Sequence, residues 1–376
     1  MDAITHGLTG ALVAKAFFSN KHGRVGTAAV TIGAVFPDSD VIFGLFTANR
    51  LATMELHRGV THSYLALPLF AALLAGVTKR FAPQKKFLSL WSLYALGLAV
   101  HIFLDLITSW GTMIWSPLNK TRASLDLVSF IDFIFVALVL FPQVLAWVYA
   151  VRAGAMRRVL LVWLLATVLA IGMADLATEL AEITFPWQPV LLASAAVAAV
   201  FLLPCAGGWG FRQPRALFCR IGVATLVAYF ALCSVNHFFA LKRVEEFAAR
   251  DKLLVERLAA LPMPLSPFSW TGLVLTPAGV YESRFSVLSN APSEFRFFPT
   301  APPNRYIALA QAVPATQTYL WFARFPVVRY RNAGELHIVE YADMRSSSSR
   351  NRRSPFRYRV LLNSQGKVLM ADFLRR

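Results

Sequence analysis

Four histidines and six carboxylates stand at or near the ends of apolar runs in roughly the first 135 residues, where such side chains could ligate a metal or move protons. They are His6 in "MDAITHGLTGALVA", Asp38 and Asp40 in "GAVFPDSDVI", and Glu55, His57 and His62 in "MELHRGVTHSYLALP". His101 and Asp105 follow in "HIFLDLITSWGT", and Asp126 and Asp132 in "SLDLVSFID". Ionisable groups at membrane depth are costly unless they are paired, and too few cations lie near these six acids to pair them all. A bound cation resolves that charge problem. Mixed imidazole and carboxylate donors suit zinc, manganese or iron, and more than four donors leave room for one or two ions.

Spacing narrows the geometry. His101 and Asp105 are four residues apart, so on a helix they share one face; taken alone the two read as a hydrogen-bonded pair. His57 and His62 are five apart with Gly59 between them, so a bend there aims both at one site, and Thr61 is expected to cap the helix that follows. The competing reading is a polar structural network without a metal.

The elements that must position these residues are membrane segments. Apolar residues make up 57% of the chain and charged residues 15%, with a mean hydropathy of +0.54; soluble domains are closer to half apolar and a quarter charged. A bilayer core needs about twenty apolar residues per helix. Runs of that kind cover 62–80, 87–108, 126–150, 159–180, 187–206 and 217–236, with two weaker ones at 3–18 and 25–46, the second broken at "FPDSD". The expected fold is therefore mainly α, a polytopic bundle of about seven to eight segments whose first two are short or broken.

Basic residues orient that bundle. Lys15, Lys21 and Arg24, then "KRFAPQKK", "VRAGAMRR", and Arg212, Arg215 and Arg220 fall on one side if helices alternate, and the positive-inside rule makes that side cytoplasmic. Of the five histidines before residue 237, only His22 then falls inside. The remaining four, with the six acids, collect near the outer leaflet. The N-terminus lacks the basic region of a cleaved signal and is expected to be retained. The net charge of +17 is spread over both halves, 17 Lys and Arg against 10 Asp and Glu before residue 237 and 20 against 10 after it. No nucleic-acid motif accompanies it, so it reads as topology signals and attraction to anionic headgroups. Cys205, Cys219 and Cys233 lie in or beside apolar runs without a CxxC pair and read as small core residues.

After residue 236 the pattern changes. Residues 1–236 are read as the membrane-embedded domain, 237–260 as an amphipathic connecting helix, and 261–376 as a β-rich periplasmic domain. The strand reading rests on period-two stretches such as "TYLWFARFPVVRYR", "ELHIVEYAD" and "RYRVLLNSQGKVLMADF", with "NSQG" as a turn. The polar run "RSSSSRNRRSPFRYR" reads as a solvated hairpin tip.

Five ordered motifs, "MDAITHGLTGALVA", "GAVFPDSDVI", "HRGVTHSYLALP", "HIFLDLITSWGT" and "SPLNKTRASLDLVSFID", resemble the inner-membrane-associated, metal-dependent hydrolase family that includes the LexA-regulated YdjM-like proteins. The resemblance covers about residues 1–135. It implies a metal-dependent hydrolase, with metal ligands at His6, Asp38, Asp40, His57, His62, His101 and Asp105, and a distant similarity to zinc-dependent phospholipase C.

The expected function is hydrolysis of a lipid-linked ester, a phosphoester above all, by metal-activated water at the periplasmic face of the inner membrane. Arg58 and Arg122 are candidate phosphate clamps, since a guanidinium binds such oxygens in bidentate fashion. Glu55, Asp126 and Asp132 are candidate general acids or bases. The expected partners are membrane lipids and a lipid-linked substrate, not nucleic acid. The rival expectation is a non-enzymatic scaffold, assembly or transport factor stabilised by metal, for which Asp175, Glu179 and Glu182 would offer a cation path.

Overall fold

The computed structural model describes residues 1–42, 50–181, 187–264, 266–346 and 356–374. Helices dominate its N-terminal part. They are α1 (Ala3–Phe17), α2 (Ser19–Val35, kinked at Gly23), α3 (Arg50–Leu56), α4 (Leu67–Phe81), α5 (Phe87–Leu106), α6 (Phe133–Val148), α7 (Ala155–Ala181), α8 (Trp187–Ala206) and α9 (Arg215–Arg250). Short 3₁₀ turns at Phe36–Asp40 and Val60–His62 interrupt the pattern.

Among the described residues, three helices are long and apolar enough to cross a membrane: Phe87–Leu106, Ala155–Gly172 within α7, and α9. Leu51–His62 and Leu67–Phe81, bent by 76°, make a fourth if the pair is one broken span. This is fewer than the seven to eight segments expected from hydropathy. The reason is length: α6 has 16 residues and α1 has 15, and at 1.5 Å per residue either reaches only about 24 Å against a hydrocarbon core of about 30 Å.

The chain divides into two compact units, one made of Met1–Gly7, Ala29–Ile134 and Ala228–Arg376, the other of Leu8–Ala28 and Phe135–Val227. In the second unit, Pro142 of α6 lies so near Gly222 of α9 that a Cβ on the glycine would meet its ring at 2.5 Å. The neighbouring Gln143 accepts from Lys15 Nζ (2.9 Å) and donates to the Leu8 carbonyl (3.0 Å). Thus these polar groups inside the unit are paired, as burial in an apolar medium requires.

The first unit holds every candidate ligand. Its C-terminal portion begins within α9, at Ala228; the helix continues unbroken to Arg250 and is followed by an antiparallel sheet in the order β1 (Arg257–Pro262), β2 (Ser269–Thr276), β3 (Gly279–Ser286), β4 (Arg296–Pro299). Ala240, Val244 and Phe247 of α9 cover one face of it, against Trp270 and Val274. The other face, with Leu261, Leu273 and Val280, meets Phe325, Val327 and Met344. A second antiparallel sheet has the order β5 (Pro326–Ala333), β6 (Leu336–Asp343), β7 (Arg357–Asn363), β8 (Val368–Phe373). Strand β7 alternates half-buried and buried residues along its length, the period-two signature of a sheet with one covered face.

That covered face packs on α10 (Arg305–Gln311) and α11 (Pro314–Phe322) through Tyr319, Val339, Tyr341, Tyr358 and Val360. Asn304 caps α10 by accepting from the Tyr306 and Ile307 amides. One expectation changes here. Thr318–Phe322, read from alternation as strand, closes α11 instead, because Pro314 at its first turn presets helical φ; the strand begins at Pro326. The "NSQG" turn does join β7 to β8, with Gly366 at φ 85. Residues 347–355 of the polar run lie outside the described residues, as do Glu182 and the side chain of Glu179.

Candidate metal centre

The site is built on one face of α5. Helices α2 and α5 cross at two glycines so closely that a Cβ on Gly97 would lie 2.4 Å from the Val30 carbonyl oxygen, and one on Gly33 would lie 2.8 Å from that of Tyr94. Small residues permit such backbone approach between membrane helices. One turn beyond Gly97, the contact sets His101 against α2, its Nδ1 lying 2.7 Å from the Ala34 carbonyl oxygen. A carbonyl only accepts, so Nδ1 carries the hydrogen and Nε2 of the neutral ring is left bare. One further turn brings Asp105 to the same face, fully buried.

Pro37 starts the 3₁₀ turn that ends α2 and presents Asp38 and Asp40 toward this face. The turn Val60–His62 supplies His62, also fully buried. Thr61 was expected as a helix cap, but its hydroxyl donates to Asp40 Oδ2 at 2.7 Å. With that hydrogen committed, the Thr61 oxygen 2.9 Å from His62 Nδ1 must accept. His62 therefore also keeps a hydrogen on Nδ1 and turns Nε2 inward, a donor atom for a metal when the ring is neutral.

Four donor atoms converge as a result. His62 Nε2 lies 3.0 Å from His101 Nε2, 3.3 Å from Asp105 Oδ2 and 3.6 Å from Asp38 Oδ1. His101 Nε2 lies 3.5 Å from Asp38 Oδ1 and 3.7 Å from Asp105 Oδ2. Donors at the corners of a tetrahedron about 2.0–2.1 Å from a zinc ion are separated by about 3.3–3.4 Å, so these five edges fit a four-coordinate cation. Asp105 Oδ2 has no hydrogen bond. Its Oδ1, by contrast, faces Arg58 Nη2 at 2.9 Å and the Met1 amino group at 2.6 Å. His6 is stacked on His101 with ring centroids 3.7 Å apart; its Nε2 is 3.3 Å from Asp105 Oδ1, and neither ring nitrogen has a hydrogen bond.

A second grouping that can hold a metal, Asp40, His57 and His62, overlaps the first. Here Asp40 is heavily engaged, with His57 Nδ1 at 2.8 Å, Thr61 Oγ1 at 2.7 Å and the Arg58 amide at 3.2 Å. His57 is 30% exposed, whereas the imidazoles of His62 and His101 are fully buried. Arg58 holds φ 64, a strained region for a residue with a Cβ, and also donates to Thr108 Oγ1 at 3.2 Å.

The remaining expected residues are engaged elsewhere. Glu55 is exposed and pairs with Lys120 at 3.0 Å. Asp126 accepts a bidentate pair of bonds from Arg324 (2.8 and 2.9 Å), and Asp132 accepts from the Tyr229 hydroxyl (2.6 Å). Arg122 donates to the carbonyls of Met54, His57, Trp110 and Gly111. Sequence reasoning missed the Ala34 carbonyl, Thr108 and the bridging role of Thr61. Of these only Thr61, beside His62, carried a local signal.

Residues 1–179 match the family model described as YdjM inner membrane protein. The match bears out the resemblance seen in the first 135 residues, and the YdjM region contains every candidate ligand while ending before α9 and both sheets. A membrane location is supported by this family and by the apolar helices. Over 110 residues the chain is 32% identical to "Uncharacterized protein YfhP" of Bacillus subtilis (strain 168), covering 29% of this chain and 33% of that one. The chain thus spans about a third of the length of this curated relative. No solved structure matches the chain.

Proposed function

We propose that the protein is a membrane-embedded, metal-dependent hydrolase that cleaves a lipid-linked ester, a phosphoester above all, at the periplasmic face of the inner membrane. The observation that carries this reading is the pair of inward-facing Nε2 atoms, of His62 and His101, turned toward each other and toward two carboxylate oxygens. A single proton bridges one such pair of atoms; a dication satisfies all four. Asp38, His62, His101 and Asp105 would hold the ion, and the donor set suits zinc, with manganese or iron as alternatives. A second ion would draw on Asp40 and His57, the other grouping with donors in reach.

When bound, the metal supplies Lewis acidity, which lowers the pKa of water and offsets charge developing on phosphoryl oxygens. The chain's own residues do the rest. Asp40, through Thr61, fixes the tautomer and aim of His62, as carboxylates behind metal-binding imidazoles do. Arg58 neutralises the inner oxygen of Asp105 and leaves the outer one toward the centre. His57, partly exposed and hydrogen-bonded to Asp40, is placed to take up a proton released at the site. The basic residues between apolar runs support the orientation with the site and the C-terminal region outward.

A closed structural site is the second reading, favoured by the fact that four protein donors already complete a tetrahedron, as in structural zinc sites. The test compares wild type and His101→Ala, purified in detergent, for bound metal and for hydrolysis of a panel of phospholipids and polyprenyl phosphates. The hydrolase reading expects metal and turnover in the wild type and neither in the variant. Metal without turnover of any substrate supports the structural reading, and metal-free wild type removes both.

A further inference from the structure

The C-terminal sheets lie outside the YdjM-matched region, yet two of their arginines grip the segment that follows the ligand-bearing helix α5. Arg324, between α11 and β5, makes its bidentate pair with Asp126 and also donates to Ser124 Oγ at 2.9 Å. Arg345, after β6, donates to the Ser109 carbonyl at 3.1 Å and lies over the Trp110 ring at 5.1 Å. Trp110 is itself flanked by Phe322 and Phe356 of that domain, and Arg122 lies over Trp321 and Phe322.

The gripped segment is short and wired directly to the site. On either side of Asp126, the amides of Leu125 and Leu127 donate to the carbonyls of Leu106 and Ile107, each at 2.8 Å. Leu106 ends α5 and Ile107 caps it, immediately after Asp105. On its other branch, Arg122 holds the carbonyl of His57, next to Arg58, which holds Asp105. Asp126 sits at φ 55, a left-handed conformation that aspartate and asparagine adopt more readily than most residues. Two charged contacts from the added domain therefore pin a strained loop whose other end carries a ligand.

We infer that Arg324 and Arg345 are positioning residues for the metal centre: the C-terminal domain clamps the loop 107–126 and so fixes Asp105 and Arg58. Asp126 is then the loop's anchor for that clamp. The inference rests on the metal-centre reading for its effect on affinity, but the clamp itself is readable without metal.

The experiment uses the full chain in detergent and compares wild type with Arg324→Ala, Arg324→Lys, Asp126→Asn and the Arg324→Ala/Asp126→Asn double variant. Asparagine tolerates the same backbone conformation, so that change isolates the charge. Two quantities are read: amide hydrogen exchange, and cobalt(II) affinity from the visible absorption of the bound ion. Exchange at Leu125, Leu127 and Val128 is expected to rise about tenfold or more in Arg324→Ala and Asp126→Asn, to rise less in Arg324→Lys, and to stay unchanged in α4 and α7. Cobalt affinity is expected to fall about tenfold in both single variants and no further in the double, because the two residues act as one unit. Unchanged exchange in this segment, protection lost evenly along the chain, additive losses in the double variant, or cobalt affinity that ignores the loosened loop would each overturn the inference. If wild type binds no cobalt while exchange responds as expected, the metal function fails and the clamp of the Asp105 segment stands.

Discussion

His62 and His101 meet Nε2 to Nε2 at 3.0 Å, each ring holding its hydrogen on the far nitrogen, toward Thr61 and the Ala34 carbonyl respectively. Both Nδ1 hydrogens are set by partners that accept there, so the two Nε2 atoms face each other with the Asp38 and Asp105 carboxylates alongside. A proton on one Nε2 makes the contact a hydrogen bond, and a metal cation would take the place of that proton.

Asp40→Asn tests the support behind His62. The amide keeps the shape but offers Thr61 and His57 a different pattern of donors and acceptors, so the Nδ1 hydrogen of His62 is no longer fixed. Metal affinity is expected to fall by roughly 10–100-fold, measured by competition with a chromophoric chelator. Affinity equal to wild type would mean that Asp40 does not orient the ligand.

Gly97→Ala tests the helix crossing. The added methyl would come within 2.4 Å of the Val30 carbonyl oxygen, a backbone atom with no room to yield, so α2 and α5 must part. The expected cost is about 1–3 kcal/mol, seen as a lower Tm in detergent, with metal lost as His101 moves off Ala34. Gly76→Ala, where a Cβ meets nothing within 4 Å, is the control and should leave Tm near that of wild type.

Two glutamates in the C-terminal sheets give stability opposite pH dependences. Glu282 is buried on β3 with no hydrogen bond to either oxygen, Arg284 Nε being 3.5 Å away; desolvation raises its pKa above the ordinary value despite Arg284 and Arg296. A raised carboxyl pKa means the folded state holds the proton more tightly, so stability falls as pH rises from the unfolded value, about 4.5, through the folded one. Glu282→Gln should therefore stabilise the protein at neutral pH and lose that advantage in acid.

Glu340 behaves the other way. Burial would raise its pKa, but hydrogen bonds from Arg359 and Arg357 outweigh it and lower the value, giving stability that is present above the unfolded pKa and lost as pH falls through the folded one. Glu340→Gln should cost stability at neutral pH and progressively less in acid. Tm measured against pH for both variants checks the signs.

Topology is tested separately. Under the proposed outward orientation, a reporter fused after Arg376 is expected to be active in the periplasm. Activity confined to the cytoplasm would move the site to the inner face and overturn the outer-leaflet reading.

What the sequence disclosed followed the range of each interaction. His101 and Asp105 were legible as one face because helical periodicity fixes their relation over four residues. The separation of His57 from His62, one on Asp40 and the other in the centre, was not legible, since it depends on the 3₁₀ turn at Val60–His62 and on where Thr61 spends its hydrogen. Asp126 read as an acid or base because its partner, Arg324, lies 198 residues away. Hydropathy counted short helices such as α6 with the long ones, because a window of apolar residues does not measure where a helix stops. Alternation likewise made strand of Thr318–Phe322, where Pro314 had already committed the chain to helix.

The unit that carries the centre is assembled from Met1–Gly7, Ala29–Ile134 and Ala228–Arg376, which imposes an order on biosynthesis. All the candidate ligands emerge within the first 105 residues. The tyrosine that holds Asp132, the arginine that holds Asp126 and the arginine that holds the Ser109 carbonyl come much later, at positions 229, 324 and 345. A nascent chain therefore exposes these residues long before their supports exist, so a metal bound there would be held securely only once the later supports had been made.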